Sequence, residues 1–217
     1  MKLRGFLILL MLIITYNKVL AKEKDEILSD IKNKFELINE LIANNALRQF
    51  HSEYNCNESS GNGSLVFYYN SSELKKITHN YTKGRVKYTD DYYIWDDQLF
   101  FHYSTHKLTY NDYYKSNSGR KLKTKVQITL EERFYFHNEI AVKCQFKDFE
   151  TRSHHKKNPS SNYVRNQTTS CDEAANVLKK YRALILFQEQ NIVDSCILPK
   201  SIQNITLDAI YGEHGLD

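Results

Sequence analysis

Three times the chain sets a pair of aromatic residues ahead of a short polar turn and an apolar–polar strand. The copies are Phe67-Tyr68-Tyr69 before Leu74, Tyr92-Tyr93-Ile94-Trp95 before Leu99, and Phe134-Tyr135-Phe136 before Ile140. Aromatic-rich runs separated by two polar residues read as β-hairpins. Residues 64–150 are therefore expected to be mostly strand, as an antiparallel meander of about six to eight strands. The pattern constrains the backbone strongly and names no chemistry.

Helices are expected on either side of that sheet. Ile27, Ile31, Phe35, Ile38, Leu41, Ile42 and Leu47 recur at spacings of three and four, so residues 24–50 read as an amphipathic helix. Its polar face mixes both charge signs, which suits a helix covering a sheet better than one lying on a membrane. A second helix is expected from near Asp172, with Ala174, Ala175, Leu178, Tyr181, Leu184 and Ile185 as its apolar stripe and Ser170 or Asp172 as its cap. Residues 51–63, 115–125 and 151–170 read as loops. The sum is an α+β fold: amphipathic N-terminal helix, meander sheet, C-terminal helix.

The first 21 residues read as a secretory signal. Lys2 and Arg4 precede an apolar run from Phe6 to Ile14, and Val19-Leu20-Ala21 resembles a cleavage site. That run is shorter than the about 20 apolar residues a spanning helix needs, so no stable membrane anchor is expected after cleavage. Residues 22–217 are read as one domain, exported to a periplasm, a cell surface or the medium. Cleavage would remove Lys2, Arg4 and Lys18 and no acidic residue, leaving the charge near neutral and arguing against nucleic acid as a partner.

In an exported chain Cys56, Cys144, Cys171 and Cys196 are candidates for two disulfides, with three pairings open. Their wide spacing contains no C-x2-C pair, so a zinc site is not expected. His102 and His106 lie four apart in a segment that reads as strand, where that separation spans about 13 Å, too far for ligands of one ion. His154-His155 lies in a polar loop. Asp90-Asp91, Asp96-Asp97 and Glu131-Glu132 are carboxylate pairs; Asp96-Asp97 falls where a turn is expected, and adjacent strand residues such as Glu131 and Glu132 point to opposite faces. No nucleophile elbow, P-loop or dinucleotide motif occurs. No catalytic residue, metal ligand or cofactor is assigned. The basic run Lys115, Arg120, Lys121, Lys123 and Lys125 is suited to a solvated loop, and secondarily to nucleic acid or an anionic glycan, the first of these weakened by the near-neutral charge and the expected export. Six N-x-S/T sequons fall at Asn57, Asn62, Asn70, Asn80, Asn166 and Asn204.

The segments Ile31-x3-Phe35-x2-Ile38-Asn39, Tyr92-Tyr93 with Leu99-Phe100-Phe101, and Glu132-Arg133-Phe134-Tyr135-Phe136-x-Asn138-x-Ile140 resemble a group of uncharacterised exported bacterial proteins with aromatic hairpins. The hairpins are also similar to MORN-type repeats, although the turn glycine of those repeats is missing here. Neither resemblance implies an activity or a functional residue.

Period-two alternation places Leu99, Phe101 and Tyr103 on one sheet face and Phe100 and His102 on the other. With the first face taken to pack on the helices, Tyr93, Trp95, Phe100 and His102 become candidate binding residues on the second. The chain then reads as a non-catalytic exported domain that binds an unknown protein or small ligand through an aromatic sheet face. The alternative is a small secreted enzyme whose curved sheet and helices enclose a pocket lined by residues such as His102, Asp96 or Glu131.

Overall fold

The structure is a computed structural model that describes residues 2–55 and 62–189. Helix α1 (Lys2–Ala43) leads into eight strands: β1 (Arg48–Asn55), β2 (Asn62–Asn70), β3 (Glu73–Lys83), β4 (Val86–Trp95), β5 (Gln98–Lys115), β6 (Lys121–His137), β7 (Ile140–Arg152) and β8 (Gln167–Thr168). Helix α2 (Ala174–Glu189) follows. Among the described residues the strands form one antiparallel sheet in sequence order. The fold is α+β, with the meander and two flanking helices that the sequence implied. Among the described residues no helix is long and apolar enough to cross a membrane.

Three hairpins share one construction. The turns Ser71-Ser72, Asp96-Asp97 and Asn138-Glu139 all lie at the same end of the sheet. Asp96, Asp97, Asn138 and Glu139 have positive φ, the requirement of a tight turn that matches strand twist. Each hairpin also carries a β-bulge at the aromatic pair, where the register shifts between Tyr68 and Tyr69, Tyr93 and Ile94, and Tyr135 and Phe136. The residue added on the return strand is Lys75, Phe100 or Val142, which leaves two consecutive side chains on one face. A fourth turn, Gly84-Arg85, closes the β3–β4 hairpin at the opposite end, with Gly84 at φ +59°.

The helices cover opposite faces. Ile31, Ile38 and Leu47 are buried against Tyr93, Phe100 and Phe101, flanked by Ile27, Phe35, Tyr68, Tyr103, Tyr135 and Val142. On the other face Val177, Tyr181, Leu184 and Phe187 of α2 pack on Phe67, Ile77, Tyr92, Ile94, Leu99, Phe134 and Phe136. A Cys144–Cys171 disulfide with Cα atoms 5.4 Å apart ties β7 to the segment before α2. Cys56 and Cys196 lie outside the described residues.

Several boundaries differ from the sequence reading for identifiable reasons. Helix α1 stops at Ala43 rather than residue 50. Asn45 takes φ 53°, and the amides of Asn45 and Ala46 donate to the carbonyls of Ile42 and Leu41, a Schellman closure with Asn in the left-handed position. Leu47 is buried from beyond that cap, so its periodicity misled. Residues 51–55, read as loop, belong to β1, a polar edge strand with little alternation to detect. The supposed loop 115–125 shrinks to 116–120, because β5 and β6 pair as far as Lys115 and Lys121. The loop after β7 begins later than expected and contains the short strand β8. In α2, Val177 and Phe187 are buried while Ala175 is exposed.

Both helices should contribute separately to stability. Ile38→Ala and Leu184→Ala, each at a fully buried position, are expected to lower the unfolding free energy by about 2–5 kcal/mol each. Urea denaturation of the two variants checks this. A neutral Ile38→Ala would mean that α1 is not seated on the sheet.

Candidate functional site

Of the four residues named from the sequence, Tyr93, Trp95 and Phe100 lie together on the α1 side and His102 lies on the opposite face. The Phe100 bulge breaks the period, so Phe100 and Phe101 both face α1 and Leu99 faces α2. Tyr93 and Phe100 are buried beneath α1, where the Tyr93 hydroxyl donates to Asn39 Oδ1 at 3.1 Å. Trp95 is half-buried at the same end, with the Lys75 ammonium 4.1 Å from its ring centre. His102 is buried on the other face, packed on Tyr92 and Phe134. Asp96 sits in an exposed turn, and Glu131 and Glu132 point to opposite faces as strand alternation requires.

Side chains on the α2 face form rows across the strands, apolar near the bulged turns, polar in the rows that follow, and apolar again at Leu130, Leu108 and Val126 of β5 and β6. One register holds Phe67, Ile77, Tyr92, His102, Phe134 and Cys144; the next holds Leu65, His79, Asp90, Ser104 and Glu132; the third holds Gly63, Tyr81, Tyr88, His106 and Leu130. Asp90 is the centre of the polar part. Its Oδ1 accepts the Ser104 hydroxyl at 2.5 Å and lies 4.0 Å from His102 Nε2, while its Oδ2 lies 4.0 Å from Lys180 Nζ of α2. His106 Nε2 reaches Ser104 Oγ at 2.7 Å and Glu132 Oε2 at 3.7 Å. His79 Nε2 shares a 2.9 Å hydrogen bond with the Tyr54 hydroxyl, and Lys180 donates to the Tyr81 hydroxyl at 3.4 Å.

Burial separates the proton affinities of this cluster. Desolvation lowers His79, His102 and His106 to about 4 despite the attraction of Asp90. Desolvation would also raise Asp90, but Lys180, His102, His106 and the Ser104 hydroxyl outweigh it and bring the carboxyl to about 2. Glu132 gains less compensation: burial first, then the Asp90 charge, hold it up at about 7. Asp90 Oδ2, Tyr92 Oη, both nitrogens of His102 and His106 Nδ1 have no hydrogen-bond partner among the described residues. Buried polar atoms usually find partners, and the cluster concentrates exceptions; Asp90 is offset by the Lys180 charge and the Ser104 hydroxyl. Among the described residues no three His, Cys, Asp or Glu side chains converge to hold a metal ion.

Beside this cluster, at the end of β1–β4 remote from the bulged turns, lies a groove of about 550 Å³. Tyr54, Tyr81 and Tyr88 line it from the α2-facing set. Glu53, Ser64, Asn80, Thr82, Lys87 and Thr89 line it from the other set, with Asn62 and Gly63 at the start of β2. Tyr81 and Tyr88 stack face to face across the β3–β4 pair, 4.7 Å apart and 4° from parallel. Gly63 is required there: a Cβ at this position would stand 2.3 Å from the Tyr54 ring. Thr89 donates to Asn80 Oδ1 at 2.8 Å, holding the amide in the sheet surface. Sequence reasoning missed the groove because it is assembled by cross-strand register, and alternate tyrosines on separate strands give no local motif.

The opposing proton affinities predict a distinctive pH response. Unfolded imidazoles protonate near 6.5, whereas the folded ones wait until about 4. Between those values the unfolded chain binds more protons, so stability falls as pH drops through that window. Glu132 acts in the opposite sense: folded, it keeps a proton up to about 7 that the unfolded carboxyl loses near 4.5, so it withdraws stability as pH rises between them. Glu132→Gln should therefore be more stable than the parent at pH 8, with the gap closing towards pH 4.5. Urea titrations at pH 8, 6 and 4.5 measure the gap. A gap independent of pH would show that Glu132 is ionised in the fold.

Comparison with protein-family models, with curated proteins and with solved structures finds no match to this chain. What the site does is therefore read from its geometry.

Proposed function

We propose that this protein is an exported, non-catalytic binding domain that takes a hydroxyl-rich small ligand, such as an oligosaccharide, in the groove at the free end of β1–β4. The observation that carries this reading is the lining itself. A stacked tyrosine pair adjoins Asn62, Ser64, Asn80, Thr82 and Thr89, an amide and hydroxyl surface beside aromatic residues. Pockets of this size recognise ligands by a few placed polar groups against aromatic walls. The expected aromatic contact moves from Tyr93, Trp95, Phe100 and His102, of which all but Trp95 are buried, to the groove residues Tyr54, Tyr81 and Tyr88. The leader-like N-terminus and the Cys144–Cys171 disulfide support export to an oxidising compartment.

A second reading is favoured by one observation. Asp90 and Glu132 share a register across β4, β5 and β6, and their proton affinities are driven apart, as in carboxylate pairs that divide general acid and base roles. Such an enzyme would lose turnover of glycoside substrates on Glu132→Gln, whereas a binding domain has no turnover to lose.

The test is ligand-observed NMR of residues 22–217 against a panel of neutral and acidic oligosaccharides. Thr82→Ala with Thr89→Val removes two groove hydroxyls and should weaken binding by about tenfold, the loss of one or two net hydrogen bonds, while the melting temperature stays within a few degrees. Unchanged binding in this variant would reject the groove as the site.

A further inference from the structure

The long β5–β6 hairpin has two unlike sides. β4 pairs with β5 only as far as Leu108, and β7 pairs with β6 only as far as Val126, so the distal strands form a two-stranded arm. On the side shared with α2 the arm is braced. Tyr114 stacks on His154 at 3.7 Å, His154 Nδ1 reaches Thr124 Oγ1 at 2.8 Å, and Arg152 binds Asp112 at 2.9 Å while also pairing with Glu150. On the other side, successive outward positions of β6 are Lys121, Lys123 and Lys125, facing Lys115, Tyr113 and Asn111 of β5. All six side chains are exposed, and none of these lysines forms an ion pair among the described residues. Lys121 Nζ stands 4.6 Å over the Tyr113 ring.

The strip continues towards the groove. Lys107 and Lys87 face each other across β4 and β5 on the same side, and Lys87 is a groove residue. The positions between carry Thr109, Gln127 and Thr129, with no exposed carboxylate among them; the exposed Glu53 lies further on, in the groove. The one acidic residue of the arm, Asp112, lies on its braced side. Outward neighbours along a strand are about 7 Å apart, so three lysines of β6 present a line of charge on a framework already held in place.

We propose that this strip binds a linear anionic glycan, a polysaccharide bearing carboxylate or sulfate groups, that runs along the arm to the groove. Charge complementarity selects a polyanion, and the exposed Tyr113 ring amid the lysines offers a stacking surface for a sugar. The tip, Ser116-Asn117-Ser118-Gly119, carries no apolar side chain to enter a bilayer, so a membrane surface is a poorer fit. The inference rests on the groove reading for one end of the chain of sugars, and the strip supplies the substrate class that the groove alone leaves open.

The experiment measures binding of residues 22–217 to heparin, to neutral dextran and to single-stranded DNA by calorimetry at several salt concentrations. The parent should bind heparin with an affinity that falls as salt rises, and bind it more tightly than either other polymer. Lys121→Gln/Lys123→Gln/Lys125→Gln should weaken heparin binding at least about tenfold and flatten the salt dependence, with an unchanged melting temperature. Tyr113→Ala, a single change at an exposed site, should weaken heparin binding and leave that salt dependence intact. No heparin binding by the parent, or full binding by the triple variant, overturns the proposal. Equal or tighter binding of DNA overturns the glycan assignment. Loss in the strip variants with Thr82→Ala/Thr89→Val unaffected removes the groove reading alone; the reverse pattern removes the strip alone.

Discussion

One extra residue at each of three bulges decides which face of the sheet every later side chain occupies. Lys75, Phe100 and Val142 are added opposite Tyr68–Tyr69, Tyr93–Ile94 and Tyr135–Phe136. In an unbroken strand a shift of one residue exchanges the two faces. Here the shift sends Leu99 to α2 and both Phe100 and Phe101 to α1, so each helix meets aromatic or aliphatic surface. Without the bulge, either Leu99 or the run from Phe101 onward would lie on the wrong side. His102, Ser104 and His106 would then leave Asp90. The polar cluster and the helix packing are thus consequences of the same backbone irregularity.

Chemistry is graded along the strands in the same direction on both faces. Near the bulged turns the rows are Leu, Ile, Phe and Tyr and are capped by helices. Further along, the α2 side turns to His79, Asp90, Ser104, Glu132 and Lys180, and the α1 side to Thr, Asn, Gln and Lys. Removing Asp90 from water is tolerable because Lys180 and the Ser104 hydroxyl act on it within the sheet. The histidines receive less and so remain neutral over most of the pH range. Apolar area returns on the α2 side at Leu108, Val126 and Leu130, so the polar far end belongs to the α1 side, where the lysine strip and the polar lining of the groove lie.

The architecture was legible because its signals are local. Asp96-Asp97 and Asn138-Glu139 between aromatic runs specify tight turns, and the three-and-four spacing of Ile31, Phe35 and Ile38 specifies a helix face. Errors arose where the deciding fact was not in the hydrophobic period. Asn45 ends α1 through two backbone hydrogen bonds, while Leu47 kept the apolar period going past it. Tyr93 and Phe100 looked like a spare aromatic face because period-two counting contains no term for an inserted residue. The Asp90 cluster and the groove were illegible in principle. Their members come from β1 to β6 and α2, and only register makes neighbours of His79, Asp90, Ser104 and Glu132.

Net charge illustrates the same limit. Summed over residues 22–217, basic and acidic side chains nearly cancel, and that sum argued against nucleic acid as a partner while leaving an anionic glycan open at the basic run. A ligand does not meet the sum. It meets one side of one hairpin, where Lys115, Lys121, Lys123 and Lys125 are exposed and the compensating Asp112 and Glu150 are turned away and held by Arg152. At physiological salt a charge is felt over about 8 Å, so residues on the near side of a two-stranded arm dominate the field there. The alternation that buries alternate apolar residues also sorts charges, and a run of lysines at every second position, read as a loop in the linear sequence, becomes a single-sign strip once the backbone is a strand.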